Sequence, residues 1–316
     1  MNTQTKKIDQ VMTRGVHEVI GKDNVIAMLH AGKPLRIKYG IDPTATSFHL
    51  GHTVPLRKLK EFQALGHIAV FIIGDYTAQI GDPVGKSETR NMLTLKQTQD
   101  NAKKFSNLAA KFIDIKKTEV HFQSSWYNTL TLEQTIRLMA TVTKEQLMRH
   151  ETFRMRERTG KPLGFHEMFY TLLMAYDSVM VKPDIEIGGP DQKFNFLTTR
   201  QVMEKFGQPP QDAMLLTFLP GTDGAEKMSK SANNFVGLDE NPLVQFEKLM
   251  KIRDEDIPIF FDLATNLKKQ ATFSLHPLAA KRLLARTIVY DCHGEQAAID
   301  SDQQFFTAHP QLKNMI

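Results

Sequence analysis

Residues 35–74 read LRIKYGIDPTATSFHLGHTVPLRKLKEFQALGHIAVFIIG, and this stretch decides the fold class. Leu35 to Ile41 predicts a buried strand that runs into a loop, and Pro55 to Leu65 predicts a helix closed by Gly66. Ile68 to Gly74 is apolar throughout and too short to span a membrane, which is typical of a central parallel strand. A strand, a helix and a second strand in this order indicate a doubly wound parallel α/β sheet.

Apolar periodicity predicts the remaining elements. They are helices over Thr13 to Ala31, Leu132 to Leu147 and Phe165 to Val181, strands over Asp184 to Gly189 and Leu215 to Leu219, and helices from Pro242 to near the end. Residues from about 93 to 180 are mostly helical in this prediction. We expect them to form an insertion between the two halves of the sheet.

Composition and charge describe an ordinary soluble globular chain. Of the 316 residues, 41% are apolar and 24% charged, and the formal charge of +5 is compatible with a polyanionic partner. No run is long and apolar enough for a membrane span, and the polar first ten residues do not resemble a signal peptide. Cys292 is the only cysteine, which excludes an internal disulfide. We therefore expect a cytoplasmic protein with no cysteine-rich metal site.

Two short motifs carry the chemistry. The first is His49-Leu50-Gly51-His52, and the second is Lys227-Met228-Ser229-Lys230-Ser231. Attack on the α-phosphate of ATP builds negative charge on anionic oxygens, so a catalyst needs positioned donors and cations. The histidines supply compact donors, and the glycine lets a nucleotide approach the backbone. The lysines are expected on a mobile loop that closes over pyrophosphate.

Together with four further segments, these motifs resemble those of class I aminoacyl-tRNA synthetases. The resemblance is greatest to the bacterial tyrosyl-tRNA synthetases. The further segments are Tyr39-Gly40-Ile41-Asp42-Pro43-Thr44, Ile80-Gly81-Asp82-Pro83-Val84-Gly85-Lys86-Ser87, Ala175-Tyr176-Asp177 and Gly188-Gly189-Pro190-Asp191-Gln192. The similarity runs from about residue 30 to the second of the two motifs, which carries the lysines, and so covers most of the chain.

The resemblance implies an architecture and a reaction. It implies a Rossmann-like catalytic domain over residues 1–220, with the helical insertion at about 93–180. The lysine-motif loop and a C-terminal helical domain would follow over residues 221–316. The expected enzyme is a homodimer that uses ATP with Mg²⁺ to convert tyrosine, or a close analogue, into an aminoacyl-adenylate. It would then transfer the acyl group to tRNA, and no resident metal site is expected.

The resemblance also implies three groups of site residues. The catalytic group is His49, His52, Lys86, Lys227 and Lys230, with Arg90 on a loop that reaches phosphate. The ATP-binding group is Gly51, Gly188, Gly189, Asp191, Met228 and Ser229, in which Asp191 accepts from the ribose hydroxyls. The amino-acid-binding group is Tyr39, Asp42, Asp82, Tyr170, Met174, Asp177 and Gln192.

Asp177 indicates tyrosine as the substrate. A carboxylate at the bottom of an apolar pocket accepts from a phenolic hydroxyl and is left unpaired by phenylalanine. Tyr170 lies seven positions earlier on the same predicted helix, hence on the same face. Asp82 would hold the α-ammonium of the substrate, because a buried ammonium without a partner is costly.

Four positions depart from the family pattern. Met174 stands where glutamine is usual, Pro190 where serine or threonine is usual, Gln123 where asparagine is common, and Lys38 where some members have tyrosine. Methionine neither donates to a carboxylate nor accepts strongly from an ammonium. A tyrosine analogue therefore stays open as the substrate.

The acceptor also stays open. Typical members continue into a small basic domain that grips tRNA, whereas this sequence stops at Ile316 without one. Either the sequence is a shortened piece, or the protein lacks this domain, or the acceptor is not tRNA. A biosynthetic amide ligase that passes the acyl group to a small amine is therefore the alternative, and Met174 also motivates it.

Three other functions are disfavoured. A catalytically silent paralogue would have lost part of the ATP site, but both motifs are intact. A generic phosphate-binding protein would require all the segments to match by chance. A tryptophan enzyme conflicts with Asp177, because indole offers a single donor at a different reach.

Overall fold

A six-stranded sheet lies at the centre of the computed structural model, which describes residues 3–44, 48–86, 88, 91–230, 232–267 and 274–313. The strands are β1 Val16–Ile20, β2 Arg36–Ile41, β3 Ile68–Ile73, β4 Thr118–Phe122, β5 Ile185–Gly188 and β6 Asp212–Leu216. Their order across the sheet is β1-β6-β5-β2-β3-β4. Neighbouring strands are parallel except β1, which pairs antiparallel with β6 at one edge.

Helices account for most of the remaining described residues. They are α1 Thr3–Thr13, α2 Lys22–His30, α3 Thr53–Ala64, α4 Thr77–Ile80, α5 Leu95–Ala109, α6 Ser124–Tyr127, α7 Leu132–Met139, α8 Lys144–Leu147, α9 Glu151–Arg158, α10 Phe165–Val181, α11 Lys193–Lys205, α12 Pro242–Met250, α13 Ile257–Ala264, α14 Pro277–His293, α15 Glu295–Ala308 and α16 Pro310–Lys313. Within the described ranges, no helix combines the length and apolar character needed to cross a bilayer.

Apolar side chains cover both faces of the sheet. One continuous core joins strand residues such as Ile37 and Phe71 to α3 and to C-terminal residues such as Phe260 and Ile288. A second cluster packs Val70 and residues of α10 and α11 against the opposite face. Helices on both faces of a mostly parallel sheet are the doubly wound arrangement predicted from the sequence.

The strand order reverses beside β2. From β2 the chain proceeds to β3 and β4 on one side, whereas β5 and β6 lie on the other. The carboxyl ends of β2 and β5 therefore border a crevice at a topological switch point, where ligands bind in open α/β sheets.

The helix predicted over Thr13 to Ala31 is wrong in its first half, which contains β1, whereas its second half is the helix α2. Gly15 and Gly21 flank the strand with φ angles of 62° and 77°, in the left-handed region that glycine adopts most readily. A Cβ at Gly21 would lie 2.0 Å from Oδ1 of Asp212. The sequence-based prediction missed the ends of the strand at these glycines, because the apolar residues on either side have a spacing that fits a helix.

Three further boundaries differ from the predictions. Strand β4 lies in the region expected to be mostly helical, where it forms a half-exposed edge beside β3. The helix predicted over Leu132 to Leu147 is split into α7 and α8, because Thr143 caps a new helix by accepting from the backbone of Gln146. Strand β6 begins at Asp212 rather than Leu215.

The helix over Phe165 to Val181 and the strands β2, β3 and β5 agree with the sequence-based predictions. The division of the chain into domains at residue 220 stays a prediction.

Candidate active site

One cavity of about 900 Å³ opens where β2 and β5 end. Every predicted site residue that the structure describes lines it, so the two motifs and the other segments meet in space. These residues are Tyr39, Asp42, His49, Gly51, His52, Asp82, Lys86, Tyr170, Met174, Asp177, Gly188, Gly189, Asp191, Gln192, Lys227, Met228, Ser229 and Lys230. Arg90 and Ser231 lie outside the described residues.

The histidine motif is anchored to the segment that follows the lysine motif. His49 precedes a 3₁₀ turn over Leu50–His52, which leads directly into α3. The backbone N–H of Leu50 donates to the carbonyl of Val236 over 2.8 Å, and that of Leu238 donates to the carbonyl of Phe48 over 2.8 Å. These two bonds place the two signature motifs side by side although the sequence separates them widely.

Both histidines are neutral at physiological pH. Burial, together with the neighbouring His52, Lys230 and Lys227, lowers the pKa of His49 to about 2. Burial also lowers the pKa of His52 to about 4. Nδ1 of His52 lies 3.2 Å from the backbone nitrogen of His49, which leaves Nε2 for another partner. Neutral imidazoles in this position are suited to donate a hydrogen bond to phosphate oxygen.

Close packing against His49 of the same motif favours glycine at position 51. A Cβ at this position would lie 3.1 Å from Cε1 of His49 and 3.9 Å from Cβ of Met228. Met228 is almost completely buried, so it forms part of the base on which the lysine loop rests.

Asn234 organises the lysine loop, and the sequence-based prediction missed it. Its buried side chain accepts from the backbone N–H of Ser229 over 2.8 Å and donates to Asp223 over 3.2 Å. Its backbone carbonyl accepts from Thr222 over 2.9 Å. The available signal was an asparagine three residues after the end of the motif, because asparagine side chains commonly form hydrogen bonds with nearby backbone groups.

Lys227 contacts two groups of the cavity wall. Its Nζ lies 2.9 Å from Oδ2 of Asp191 and 4.8 Å from the centre of the Phe218 ring. Burial lowers the pKa of Lys230, the other lysine of the motif. Phe218 was also missed, because its place beside the double glycine depends on the tertiary fold.

The double glycine makes room for two aromatic rings. A Cβ at Gly188 would lie 2.7 Å from Cζ of Phe196, and one at Gly189 would lie 2.6 Å from Cε1 of Phe218. Packing therefore gives a reason for these glycines in addition to the predicted close approach of a nucleotide. Asp191 follows in the 3₁₀ turn Pro190–Gln192, at the start of α11.

The carboxylates of Asp42 and Asp82 also line the cavity. Asp42 accepts from Oγ1 of Thr77 over 2.6 Å and from the hydroxyl of Tyr170 over 2.9 Å. Asp82 accepts from Nε2 of Gln192 over 2.7 Å. Burial raises the pKa of Asp42 to about 7 and also raises the pKa of Asp82. Two carboxylates that are difficult to ionise together form a good site for an ammonium group.

Asp177 forms the polar floor of the deep end. It accepts from Gln123 over 2.7 Å, from the indole of Trp126 over 3.2 Å and from the hydroxyl of Tyr127 over 3.0 Å. Burial raises the pKa of this carboxyl to about 7. Trp126 and Tyr127 were missed as partners, because α6 is a single turn whose position depends on β4.

A buried ion pair lies beside this floor. Nζ of Lys38 is 2.8 Å from Oε1 of Glu186, and each side chain is only 1% exposed. Lys38 also donates to Oγ of Ser178 over 2.7 Å, and Gln211 donates to Glu186. Lys38, noted above as a departure, thus has a charge partner on the adjacent strand β5.

The neighbouring strand residue Tyr39 faces different groups. It is buried, its ring stacks on Phe71 with centroids 5.9 Å apart, and burial together with Asp191 and Asp42 raises its pKa. Met174 lines the cavity and packs against an apolar cluster that contains Phe196. Its thioether supplies no strong acceptor at a position where glutamine is usual.

Comparison with known proteins identifies the family. The family model described as tRNA synthetases class I (W and Y) matches residues 30–309. The chain belongs to this family. Two curated relatives agree: the tyrosine–tRNA ligase of Dehalococcoides mccartyi is 44% identical over 314 residues, covering 96% of this chain and 79% of the relative. That of Aquifex aeolicus is 44% identical over 293 residues, covering 92% and 75%.

Solved structures confirm the fold of this class I synthetase. A C-terminally truncated mitochondrial tyrosyl-tRNA synthetase from Aspergillus nidulans has a TM-score of 0.80 and 20% identity, covering 97% of this chain and 94% of that one. The Archaeoglobus fulgidus tyrosyl-tRNA synthetase complexed with L-tyrosine has a TM-score of 0.76 and 19% identity, covering 95% and 99%. The predicted resemblance and the Rossmann-like α/β fold are both confirmed.

Proposed function

We propose that this class I synthetase activates tyrosine with ATP and transfers the tyrosyl group to tRNA. The observation that carries the proposal is a single cavity lined by both phosphate-directed motifs and by the carboxylates Asp42, Asp82 and Asp177. Such a cavity can bind an amino acid and a nucleotide next to each other. The names of the curated relatives support the same activity.

The deep end of the cavity binds the amino acid in this proposal. The phenolic hydroxyl of tyrosine donates to Asp177, whose other contacts come from fixed donors. Asp42 and Asp82 hold the α-ammonium, with Tyr170 and Gln192 orienting these carboxylates. Tyr39 and Met174 complete the apolar wall. Phenylalanine would leave Asp177 without its phenolic partner, which is the basis of selection.

The outer end binds ATP. Gly51, Met228 and Ser229 border the phosphates, while Gly188, Gly189 and Asp191 border the nucleoside. Mg²⁺ would arrive bound to the phosphate oxygens and supply positive charge there.

The first reaction needs no enzyme nucleophile. A carboxylate oxygen of tyrosine attacks the α-phosphorus, and the bond from that phosphorus to the oxygen of pyrophosphate breaks. His49 and His52 donate to the transferring phosphoryl group. Lys227, Lys230 and Lys86 compensate charge on the departing pyrophosphate. Positioned donors and cations of this kind are the main source of catalysis in phosphoryl transfer.

The second reaction transfers the tyrosyl group. A ribose hydroxyl at the end of tRNA attacks the acyl carbonyl of tyrosyl-adenylate, and an ester forms. AMP leaves with the electrons of the broken acyl–oxygen bond, and its phosphate takes up the proton of the hydroxyl. The formal charge of +5 supports association with this polyanion.

Assembly and location complete the proposal. The helical insertion exposes Leu132, Ile136 and Phe165, which are 76%, 58% and 71% accessible. This apolar surface supports a homodimer formed through the insertion. We place the enzyme in the cytoplasm, and its one cysteine, Cys292, is free and buried as expected in a reducing compartment.

Acylation of tRNA tests this proposal against the amide ligase, which the comparisons do not favour. The enzyme is incubated with ATP, radiolabelled tyrosine and total tRNA, and the label that precipitates with RNA is counted. We expect labelled tRNA that mild alkali releases as free tyrosine, because the bond is an ester. Adenylate that is consumed by small amines but not by tRNA would support the alternative instead.

A further inference from the structure

Lys227 is held by two groups on the nucleoside side of the cavity. Its ammonium pairs with Asp191 over 2.9 Å and lies over the ring of Phe218 at 4.8 Å. Phe218 is 37% exposed, which is unusual for an apolar ring in a well-packed wall, and it lines the same cavity. A carboxylate and an aromatic face side by side are also what a nucleoside needs, since its ribose donates hydroxyls and its base stacks.

We propose that Lys227 is a resident cation of the nucleoside subsite, which the adenosine part of ATP displaces towards the phosphates. Phe218 then stacks against the base. The carboxylate of Asp191 exchanges its ion pair with Lys227 for hydrogen bonds from the ribose hydroxyls. The inference rests on the proposed function, because it requires ATP in this cavity. It links recognition of the nucleoside to delivery of a catalytic charge.

The backbone permits this movement without rearrangement of the loop. Met228 donates its N–H to the carbonyl of Leu219 over 2.9 Å, and Lys227 forms an isolated bridge with Pro220. The main chain is thus fixed on both sides of the lysine, while its flexible four-carbon stem is free to change rotamer. Lys227 is already close enough to the histidine motif for its charge to lower the pKa of His49. The proposed movement is a rotation of this side chain on a fixed backbone.

The contacts of the Lys227 ammonium are weak enough for a ligand to displace it. The lysine side chain is 49% exposed and Asp191 is 23% exposed, so solvent screens their attraction. The contact with Phe218 is a partly exposed cation–π pair of similar small strength. Together they should reduce the affinity of a competing nucleoside by about two- to tenfold.

Adenosine binding tests the inference, because adenosine carries the ribose and base but no phosphate. Calorimetry should show that Lys227→Met binds adenosine about two- to tenfold more tightly than the natural protein. The same variant should be slower in tyrosine-dependent ATP–pyrophosphate exchange, because the charge on pyrophosphate is lost. A lysine with only a structural role would not give tighter adenosine binding together with slower exchange.

Lys230→Met is the matched control. It removes the other ammonium of the motif and should leave adenosine affinity within twofold of the natural value. Phe218→Leu should weaken adenosine binding about fivefold or more, because the base loses its stacking partner. Thermal unfolding of each variant verifies that it is folded.

Unchanged or weaker adenosine binding by Lys227→Met would overturn the inference, as would equal tightening by Lys230→Met. Neither result affects the proposed function, which depends on exchange by the natural protein. Absence of tyrosine-dependent exchange in the natural protein would instead contradict the proposed function, whatever the adenosine results.

Discussion

Nε2 of Gln123 donates to Oδ2 of Asp177 over 2.7 Å, and both side chains are almost completely buried. The orientation of this amide is fixed from its other side, because Oε1 accepts from the backbone N–H of Thr77 over 2.9 Å. The deep floor of the amino-acid site is therefore joined to α4, which begins just after β3. Asp177 is therefore held in one position, where its carboxylate can accept a hydrogen bond from the phenolic hydroxyl of the substrate.

Asp177→Asn should lower kcat/KM for tyrosine in pyrophosphate exchange by about 10- to 100-fold. The neutral amide replaces a charged acceptor, and hydrogen bonds to charged groups are worth about 1.5–3 kcal/mol. The preference for tyrosine over phenylalanine should fall at the same time. Thermal unfolding checks that the fold survives, and a variant with undiminished preference would exclude Asp177 as the selective group.

Met174→Gln should lower KM for tyrosine by up to about fivefold, since a neutral hydrogen bond contributes roughly 1 kcal/mol. The new amide oxygen can accept from the α-ammonium near Asp42 and Asp82. Met174→Leu has similar volume without an acceptor and serves as the control. Equal effects of glutamine and leucine would mean that the amide does not reach the ammonium.

Binding of tyrosine should strengthen as pH rises from about 5.5 to 8. Burial raises the pKa values of Asp42 and Asp177 to about 7, so both are mainly protonated below this range and ionise through it. The ionised forms are those that accept from the substrate. His49 and His52, with pKa values of about 2 and 4, remain neutral throughout and do not contribute.

Fluorescence provides the measurement of this pH dependence, because Trp126 is the single tryptophan and contacts Asp177. The dissociation constant of tyrosine is determined at each pH. Asp42→Asn should bind more weakly and show a shallower rise, because one of the titrating carboxyls has been removed. A flat profile for the natural protein would show that neither carboxyl titrates in the binding step.

Asn234→Ala should reduce kcat for pyrophosphate exchange by about tenfold while KM for tyrosine stays nearly constant. The loss of bonds to Ser229 and Asp223 loosens the lysine loop, and each is worth roughly 1 kcal/mol. Asn233→Gly is the control next to it, because Asn233 has a φ of 53° that glycine also adopts readily. Equal losses in both variants would argue against a specific role for Asn234.

Lys38→Met should destabilise the protein by about 3–5 kcal/mol, because it leaves the buried carboxylate of Glu186 without its cation. The double variant Lys38→Met, Glu186→Gln should recover a substantial part of this loss. Urea unfolding of the natural protein, both single variants and the double variant gives the coupling free energy. Strictly additive effects would show that the pair does not interact.

The sequence was sufficient to predict the central strands of the sheet and a set of residues that line one cavity. Strand β3 is an apolar run, whereas β2 and β5 interleave apolar with charged residues. All three lie next to glycine or proline, so the local pattern favours strands at these positions. The site residues sit in short segments whose chemistry is recognisable without contacts. Strand β1 was missed because helical spacing on both sides concealed the breaks at Gly15 and Gly21.

The supporting contacts could not be predicted, because they join distant parts of the chain. Glu186 partners Lys38 from another strand, and Phe218 reaches Lys227 only through a loop geometry that the sequence does not fix. Trp126 and Tyr127 meet Asp177 across about fifty positions. Local periodicity contains no information on such pairings.

Amino-acid-dependent ATP–pyrophosphate exchange is the most direct test of the central claim that this cavity activates tyrosine. Each of the standard amino acids and several tyrosine analogues is supplied separately to the natural protein, with His52→Ala and Lys230→Ala as variants of the two motifs. We predict that tyrosine supports rapid exchange, that the other standard amino acids do not, and that either substitution nearly abolishes it. The account would be contradicted if tyrosine supported no exchange, if another standard amino acid supported exchange, or if both variants retained undiminished exchange.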